Sequence, residues 1–385
     1  MVPAKPSTVE FLRLETIREI LRSDGPCITM LLPARHAGES AGSSMSLIKT
    51  QIQSAARQLA ERKLSPSEAA SLLYPLEQLV FDPMIVSGSH WGRAILRSPS
   101  VFQQFHLTRP VEASLAIGGS FSIRKLVPEL AFPHLFYILA LSKERITLLR
   151  CADLQSEIAP LPAGVPKTVA EALELKPPDH DLENRSAVGS STGTMHSVRF
   201  GTGSGRETQH THLADYYKLV DRGLQKLTHE RDIPLILAGL DEDVAMYRSI
   251  SGYPHLVKKA ILGSPDVARA QSEMLQQAFS ILGDETSERH AIALRTAKEK
   301  NAPARFSTDP DAALQAAFEG RVSQLYVDES AKKIGTFARG TFRSFGAEDL
   351  LNLAAVQTIL HDGEVCELRS EKMPEGAIAV AIMRF

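Results

Sequence analysis

The segment FGTGSGRETQHTHLADYYKLVDRGL, residues 200–224, begins with a glycine cluster and continues directly into an amphipathic pattern. The clustered residues are Gly201, Gly203, Ser204, Gly205 and Arg206. Glycine lets backbone N–H groups approach a ligand, and a helix N-terminus carries roughly half a unit of positive charge. The apolar spacing predicts a helix over 207–229. The glycine cluster therefore predicts an anion-binding turn at the N-terminus of this helix, which we call the helix mouth. A connector without any ligand is the alternative.

Familiar sequence motifs do not account for this segment. Its GxGxG spacing differs from the GxGxxG of dinucleotide-binding folds, and it follows a polar stretch instead of a buried strand. No GK[ST] ends it, which argues against a P-loop. The nearby GSSTG, residues 189–193, has the GxSxG spacing of a serine hydrolase but follows no hydrophobic strand, and GTGSGR lacks the spacing. His210 and His212 do not share a helix face, so we predict no metal site there.

Composition limits the classes of protein to which this chain can belong. Its 385 residues predict two or three domains, and 43% hydrophobic with 23% charged residues is typical of a globular protein. A net charge of −2 means that any contact with nucleic acid must come from local patches. The three cysteines lack CxxC spacing, which argues against disulfides and a thiolate metal site. Without an apolar run of about 20 residues or a signal-peptide core, we expect a cytoplasmic protein that does not enter membranes.

The order of apolar and polar patterns predicts a mixed α/β chain in three parts. Residues 1–130 read as an α+β domain that opens with a helix over 9–22. Residues 131–263 alternate strands and helices around a long polar loop over 177–206, and parallel strand pairing is expected there. Residues 264–385 start with a long helix and continue as a small α/β domain.

Two groups of cations are candidates for contact with RNA phosphate. The first lies around the glycine cluster and contains Arg199, Arg206, Lys218, Arg222 and Lys226, partly balanced by Glu207, Asp215, Asp221 and Glu230. The second is the segment KKIGTFARGTFRSFG, in which phenylalanines alternate with Lys332, Lys333, Arg339 and Arg343. The alternatives are a solvated helix face for the first group, and a loop whose aromatic rings dock on its own core for the second.

Four segments together carry a resemblance to a known family. They are GTGSGRET leading into HLADYYKLVDRGLQK, PLILAGLDEDVAMYRSISGYPHL, DLLNLAAVQTILHDGEVCEL and the terminal AIAVAIMRF. The chain resembles the archaeal and eukaryotic class 1 peptide-release-factor and Pelota superfamily, and within it the bacterial archaeo-eukaryotic release factor proteins, family 3. The resemblance implies a ribonuclease-H-like middle domain over 131–263. It also implies a C-terminal α/β/α domain over 264–385 that is similar to kink-turn-binding ribosomal proteins.

The function implied by the resemblance is work on the bacterial ribosome. In the superfamily an exposed loop carries Gly-Gly-Gln to the peptidyl-tRNA ester, but this chain lacks that motif. Pelota-like members also lack it, so the resemblance implies ribosome rescue, stress response or translation quality control without hydrolysis. Expected partners are ribosomal RNA, the tRNA acceptor end and, through the C-terminal domain, a protein such as a translational GTPase. We expect no cofactor, no metal and no DNA.

Two other functions remain open from the sequence. The chain could be an active peptidyl-tRNA hydrolase that positions water with a different side chain, for which Gln209 and His210 are candidates. Alternatively, it could be a ribosome-independent α/β protein that binds a nucleotide or another small anion at the helix mouth over 201–206.

Overall fold

The computed structural model divides into two compact units, 1–132 together with 283–385, and 133–282. The residues that the structure describes are 9–23, 25–34, 41–82, 92–142, 145–152, 154–175, 203–228, 232–263, 267–300, 305–339, 342–343 and 346–385.

Within these ranges the chain forms helices α1–α10 and strands β1–β18. The helices in chain order are Leu14–Leu21, Ala41–Glu61, Pro66–Gln78, Val127–Leu130, Val169–Leu175, Gly203–Thr228, Asp241–Ile250, Val267–Lys300, Pro310–Phe318 and Leu350–Leu360. The strands in chain order are Glu10–Phe11, Cys27–Leu32, Gly92–Arg97, Phe102–Leu107, Ser114–Gly118, Leu135–Ala140, Thr147–Ala152, Gln155–Ala159, Leu235–Gly239, Ile261–Leu262, Phe306–Ser307, Val322–Asp328, Ile334–Gly335, Ala338–Arg339, Phe342–Arg343, Glu348–Asp349, Glu364–Leu368 and Ala379–Met383. The predicted mixed α/β class is confirmed.

The N-terminal part of the first unit is a five-stranded sheet in the order β1-β4-β3-β2-β5. Strand β2 is apolar on both faces, so alternate residues reach two different cores. Ile28 and Met30 pack with α2 and α3, whereas Leu31 faces the opposite core. Helix α3 begins at a capping box between Ser65 and Glu68.

The C-terminal part of the first unit is a four-stranded sheet in the order β11-β18-β12-β17. Alternation along β12 sends Leu325 to the core that holds α9 and α10, and sends Tyr326 to the face covered by α8. The sheet therefore lies between helices on both sides, which confirms the predicted α/β/α layering.

The two parts of the first unit share one hydrophobic core. Leu96 and Phe105 of the first sheet belong to the same buried cluster as Leu353 and Val356 of α10. Residues 9–132 and 283–385 therefore form a single compact body within the described ranges. The division at 130 and 263 that the sequence predicts stays a prediction.

The second unit is built on a five-stranded sheet in the order β10-β9-β6-β7-β8. Strands β6, β7 and β8 form an antiparallel meander, and β9 and β10 add parallel strands on the other side of β6. Helices α6 and α7 pack against this sheet in one buried hydrophobic cluster. The order and directions are those of a ribonuclease-H-like fold, in agreement with the expectation.

Two elements begin elsewhere than the sequence pattern predicts. The helix expected over 9–22 is split into β1 and α1, because Glu10 and Phe11 pair in parallel with β4. A long-range ladder here overrides the local helical spacing. The helix expected from 207 begins at Gly203, so the last residues of the predicted loop are helical. No helix within the described ranges is long and apolar enough to span a membrane.

Candidate functional site

The glycine cluster lies at the start of α6. Gly203, Ser204, Gly205 and Arg206 form its first turn, where backbone N–H groups have no partner inside the helix. Glycine is unfavourable in a helix interior by about 1 kcal/mol, but this cost matters less where a chain enters a helix. Gly201 and Arg199 lie outside the described residues, and the side chains up to Gln209 are likewise not described. The helix thus begins within the glycine cluster, and the role of this turn in binding stays a prediction.

One face of α6 anchors the helix on the sheet of the second unit. Its fully or nearly buried residues are Leu213, Tyr216, Tyr217, Val220 and Leu224. Their spacing of three and four residues is that of a single helical stripe. They pack in one cluster with Leu139 and Leu237 of the central strands. The direction of the helix, and hence the position of its first turn, is set by this packing.

Buried hydrogen bonds further fix the position of α6 on the sheet. Tyr216 donates its hydroxyl proton to the carbonyl of Lys167 at 2.7 Å. Tyr247 of α7 donates to Asp221 Oδ1 at 3.1 Å, and its ring packs edge-on against Tyr217. Burial raises the pKa of all three tyrosines, so their hydroxyls stay protonated donors at neutral pH.

Asp221 is the acceptor at the centre of this network. Its side chain receives hydrogen bonds from Tyr247, from the Ser251 hydroxyl, from the Gln225 amide and from the Gly252 backbone N–H. The residue is only 4% exposed. The sequence alone places Asp221 among the acids that balance the basic patch, and this prediction is wrong because the carboxylate faces the interior.

A close contact between α6 and the preceding segment requires glycine at position 223. A Cβ on Gly223 would lie 2.1 Å from Val165 Cγ2. Such an overlap is relieved only if the Val165 side chain rotates, or if the helix or the segment around Val165 moves.

Replacing Gly223 with alanine is expected to destabilise the protein by about 1–3 kcal/mol, the usual cost of overpacking a core. The direction of the change in stability is informative, because alanine in place of glycine stabilises an open helix by about 1 kcal/mol. Gly283→Ala in α8 is the matched control, since its nearest neighbour atom would be 3.8 Å away. Urea denaturation should show reduced stability for the first variant and no reduction for the second. Equal effects at both positions would contradict the close approach of α6 to Val165.

The outward face of α6 carries a row of cations. Lys218, Arg222 and Lys226 are exposed and follow each other at intervals of four residues, so they lie along one side of the helix. Asp215 pairs with Lys218 at 3.3 Å. The sequence already groups Lys218, Arg222 and Lys226 as cations near the glycine cluster, and the structure places all three on one side of α6. His210 is exposed near the start of the same helix.

The second basic segment is held by contacts with its own chain. Lys333 Nζ lies 2.6 Å from Asp311, and Arg339 lies 2.6 Å from Glu319. The ring of Phe337 stacks on Phe318 with centroids 4.8 Å apart. These contacts favour the alternative in which the segment docks on its own core.

The remaining cations of this segment add little to a binding surface. Lys332 is exposed, and the side chain of Arg343 lies outside the described residues. Lys332, Lys333, Arg339 and Arg343 as a contact surface therefore stay a prediction with less support than the face of α6.

Comparison with known proteins identifies one family. Residues 135–321 match the model described as bacterial archaeo-eukaryotic release factor family 3. The matched segment contains most of the second unit, including α6. No curated protein matched the chain.

Several solved structures are similar at low identity. The archaeal translation termination factor aRF1 is 11% identical, with 96% of each chain covered and a TM-score of 0.25. Archaeoglobus fulgidus Pelota is 12% identical over 77% of this chain and 80% of that chain, with a TM-score of 0.37. S. cerevisiae Dom34, a translation termination-like factor, is 8% identical over 79% and 82%, with a TM-score of 0.32. These scores are too low to show a common fold over the whole chain.

Proposed function

We propose that this protein is a ribosome-associated translation factor that acts in ribosome rescue, stress response or translation quality control, because residues 135–321 match the model of bacterial archaeo-eukaryotic release factor family 3. The single observation that carries the proposal is this family match, which covers the glycine cluster and the whole of α6. The proposal places the protein in the cytoplasm, where ribosomal RNA and the tRNA acceptor end are its partners.

The geometry of α6 supports a contact with RNA. Its first turn offers backbone N–H donors, and its outward face carries Lys218, Arg222 and Lys226 in one row. Phosphate groups are favoured at helix N-termini, and a row of cations extends the attraction along a nucleic-acid backbone. Because Asp221 points inward, the outward row is more basic than the sequence alone indicates.

The same geometry favours a role without hydrolysis. The chain contains no Gly-Gly-Gln, and Gln209 lies within α6, six residues after Gly203. At a rise of about 1.5 Å per residue, its backbone lies roughly 9 Å along the helix from Gly203. A glutamine in that position is part of a rigid element and does not stand at the tip of an exposed loop. We therefore propose binding without ester hydrolysis.

Co-sedimentation with bacterial ribosomes over a salt series tests the proposal. We expect salt-sensitive binding of the wild-type protein to empty, stalled or tRNA-loaded ribosomes. Arg222→Ala combined with Lys226→Ala should weaken binding and lower the slope of log affinity against log salt by about 1 for each phosphate that is no longer neutralised. A Ser/Ala linker in place of residues 201–206 should weaken it as well.

A matched control separates a specific contact from general charge. Arg150 is an exposed cation on β7 of the same unit, paired with Glu157 at 3.1 Å. Arg150→Ala should leave ribosome binding and its salt slope unchanged. If the wild-type protein binds none of the ribosomal states, the proposed function is wrong. If Arg150→Ala weakens binding as much as the α6 variants, the interface lies elsewhere.

A further inference from the structure

Helix α8 and strand β17 bring together three side chains that are typical metal ligands. His290 comes from α8, and Glu364 and Cys366 come from β17. One ligand atom of each residue, a ring nitrogen, a carboxylate oxygen and a thiol sulfur, lies within 4.8 Å of the other two. All three belong to the first unit.

The fold explains why these three side chains lie close together. Glu364 and Cys366 are two positions apart on a strand, so both side chains leave the same face of the sheet. Helix α8 covers that face, because Ala291 and Leu294 pack in the cluster that contains Cys366. His290, which directly precedes Ala291, thereby reaches the end of β17 at which Glu364 stands.

The set of donors fits zinc better than the other common divalent ions. Zinc takes nitrogen, sulfur and oxygen ligands at about 2.0–2.3 Å in tetrahedral geometry, whereas magnesium and calcium prefer oxygen alone. Ligand atoms around such an ion stand roughly 3.3–3.8 Å apart. Three atoms already within 4.8 Å of one another can close around zinc through small rotations of the side chains.

The surroundings support such a site. Gln324 on the neighbouring strand donates its amide to Glu364 Oε2 at 2.9 Å, as an outer partner that orients a ligating carboxylate. A Zn²⁺ ion bound by one thiolate, one carboxylate and one neutral imidazole has a net charge of zero. The cation Arg289 lies near this site. Glu364 is exposed and Cys366 is buried, so the site opens to solvent on the carboxylate side.

We propose that His290, Glu364 and Cys366 form a zinc-binding site that joins helix α8 to strand β17. Three protein ligands leave the fourth position to water or to an incoming group. The histidine is separated from the other two ligands by more than 70 positions in the sequence, so their spacing gives no motif. The site is independent of the ribosome-binding function and does not rest on it.

Cobalt titration of the full-length protein tests the site, because thiolate-bound Co²⁺ absorbs strongly in the near ultraviolet and its visible bands report tetrahedral geometry. We expect one Co²⁺ per chain, displaced by Zn²⁺. Cys366→Ala should abolish the thiolate band. Cys151→Ala, which removes another buried cysteine on β7, should leave it unchanged.

Two milder variants keep the test decisive if Cys366→Ala folds poorly. His290→Ala and Glu364→Gln alter half-buried and exposed side chains, and each should weaken Zn²⁺ binding more than about 10-fold, the lower end for losing an outer-shell partner. His361→Ala, an exposed histidine of the same unit, should not. Failure of the wild-type protein to bind Co²⁺, or a thiolate band retained without Cys366, would overturn the proposal. None of these outcomes bears on ribosome binding.

Discussion

Replacement of Arg124 with methionine is expected to lower the free energy of unfolding by about 3–5 kcal/mol, the usual cost of removing one partner from a buried ion pair. Arg124 comes from the N-terminal part of the first unit and reaches into the C-terminal part. Its Nη1 donates to Asp349 Oδ2 and to the carbonyl of Ala331, both at 2.7 Å, and its Nη2 donates to the carbonyl of Asp328.

Glu367 makes the removal of Arg124 costly. Its side chain is only 4% exposed, and its Oε1 has no hydrogen-bond partner within the described part of the chain. Burial raises the pKa of this carboxyl, and the cations Lys125, Arg124 and Arg109 oppose that rise. The carboxylate therefore depends on surrounding charge, and methionine at position 124 removes the most buried of the three cations.

Denaturation by urea, followed by circular dichroism, measures the effect. Arg150→Met is the matched control, since Arg150 forms an exposed ion pair whose removal should change the stability by less than about 1 kcal/mol. Adding Glu367→Gln to Arg124→Met should recover part of the stability, because it removes the charge of a buried carboxylate that has lost the most buried of its three cations. A destabilisation of less than about 1 kcal/mol in Arg124→Met, or no recovery in the double variant, would contradict the role of Arg124 as the counter-ion of Glu367.

Local sequence patterns were sufficient to predict most elements of the second unit. The predicted alternation of strands and helices is observed, with the apolar run PLILAGL, residues 234–240, forming β9, and the helix predicted after the glycine cluster corresponds to α6. Both signals are local, because periodicity within ten to twenty residues fixes which face of an element is buried. The ribonuclease-H-like strand order came from the family resemblance and is confirmed by the pairing of β6 with β7 and β9.

The interactions that the sequence did not predict all join distant segments. Asp221 reads as a surface acid in a charged helix, yet α7 and the turn after it supply the donors that bury it. Arg124 and Glu367 are separated by more than 240 positions, and nothing local marks them as partners. Glu10 and Phe11 likewise leave the helical pattern because they pair with β4. Local propensity carries no information about such contacts.

Replacement of Asp221 with alanine is expected to destabilise the second unit by about 3–5 kcal/mol. Four donors converge on the carboxylate, from the Ser251 hydroxyl at 2.5 Å, the Gln225 amide at 2.7 Å, the Gly252 N–H at 2.9 Å and the Tyr247 hydroxyl at 3.1 Å. Each buried donor left without a partner costs about 1–3 kcal/mol. The total falls below the sum because Gly252 is exposed and Ser251 and Gln225 are half-buried, so these three donors can reach water, whereas the Tyr247 hydroxyl is buried.

Asp215→Ala on the same helix is the matched control. Asp215 lies on the outward face, where its ion pair with Lys218 should contribute less than about 1 kcal/mol. Asp221→Asn should lie between the two alanine variants, because an amide keeps one acceptor oxygen, whereas its NH₂ group cannot accept from the two donors that meet the other oxygen, such as Gln225 and Gly252 at Oδ2. Urea denaturation gives the three values, and equal stability of the two alanine variants would show that the network contributes nothing.

The same pair of variants links the stability of α6 to the proposed function. Under conditions where Asp221→Ala remains folded, a loosened α6 presents its first turn and its cation row less rigidly, so ribosome binding should weaken. Asp215→Ala removes an acid beside Lys218, so its ribosome binding should be unchanged or tighter. Unchanged binding by folded Asp221→Ala, in a protein whose Arg222→Ala, Lys226→Ala variant binds weakly, would mean that RNA is held by charge alone and that the docking of α6 is not required.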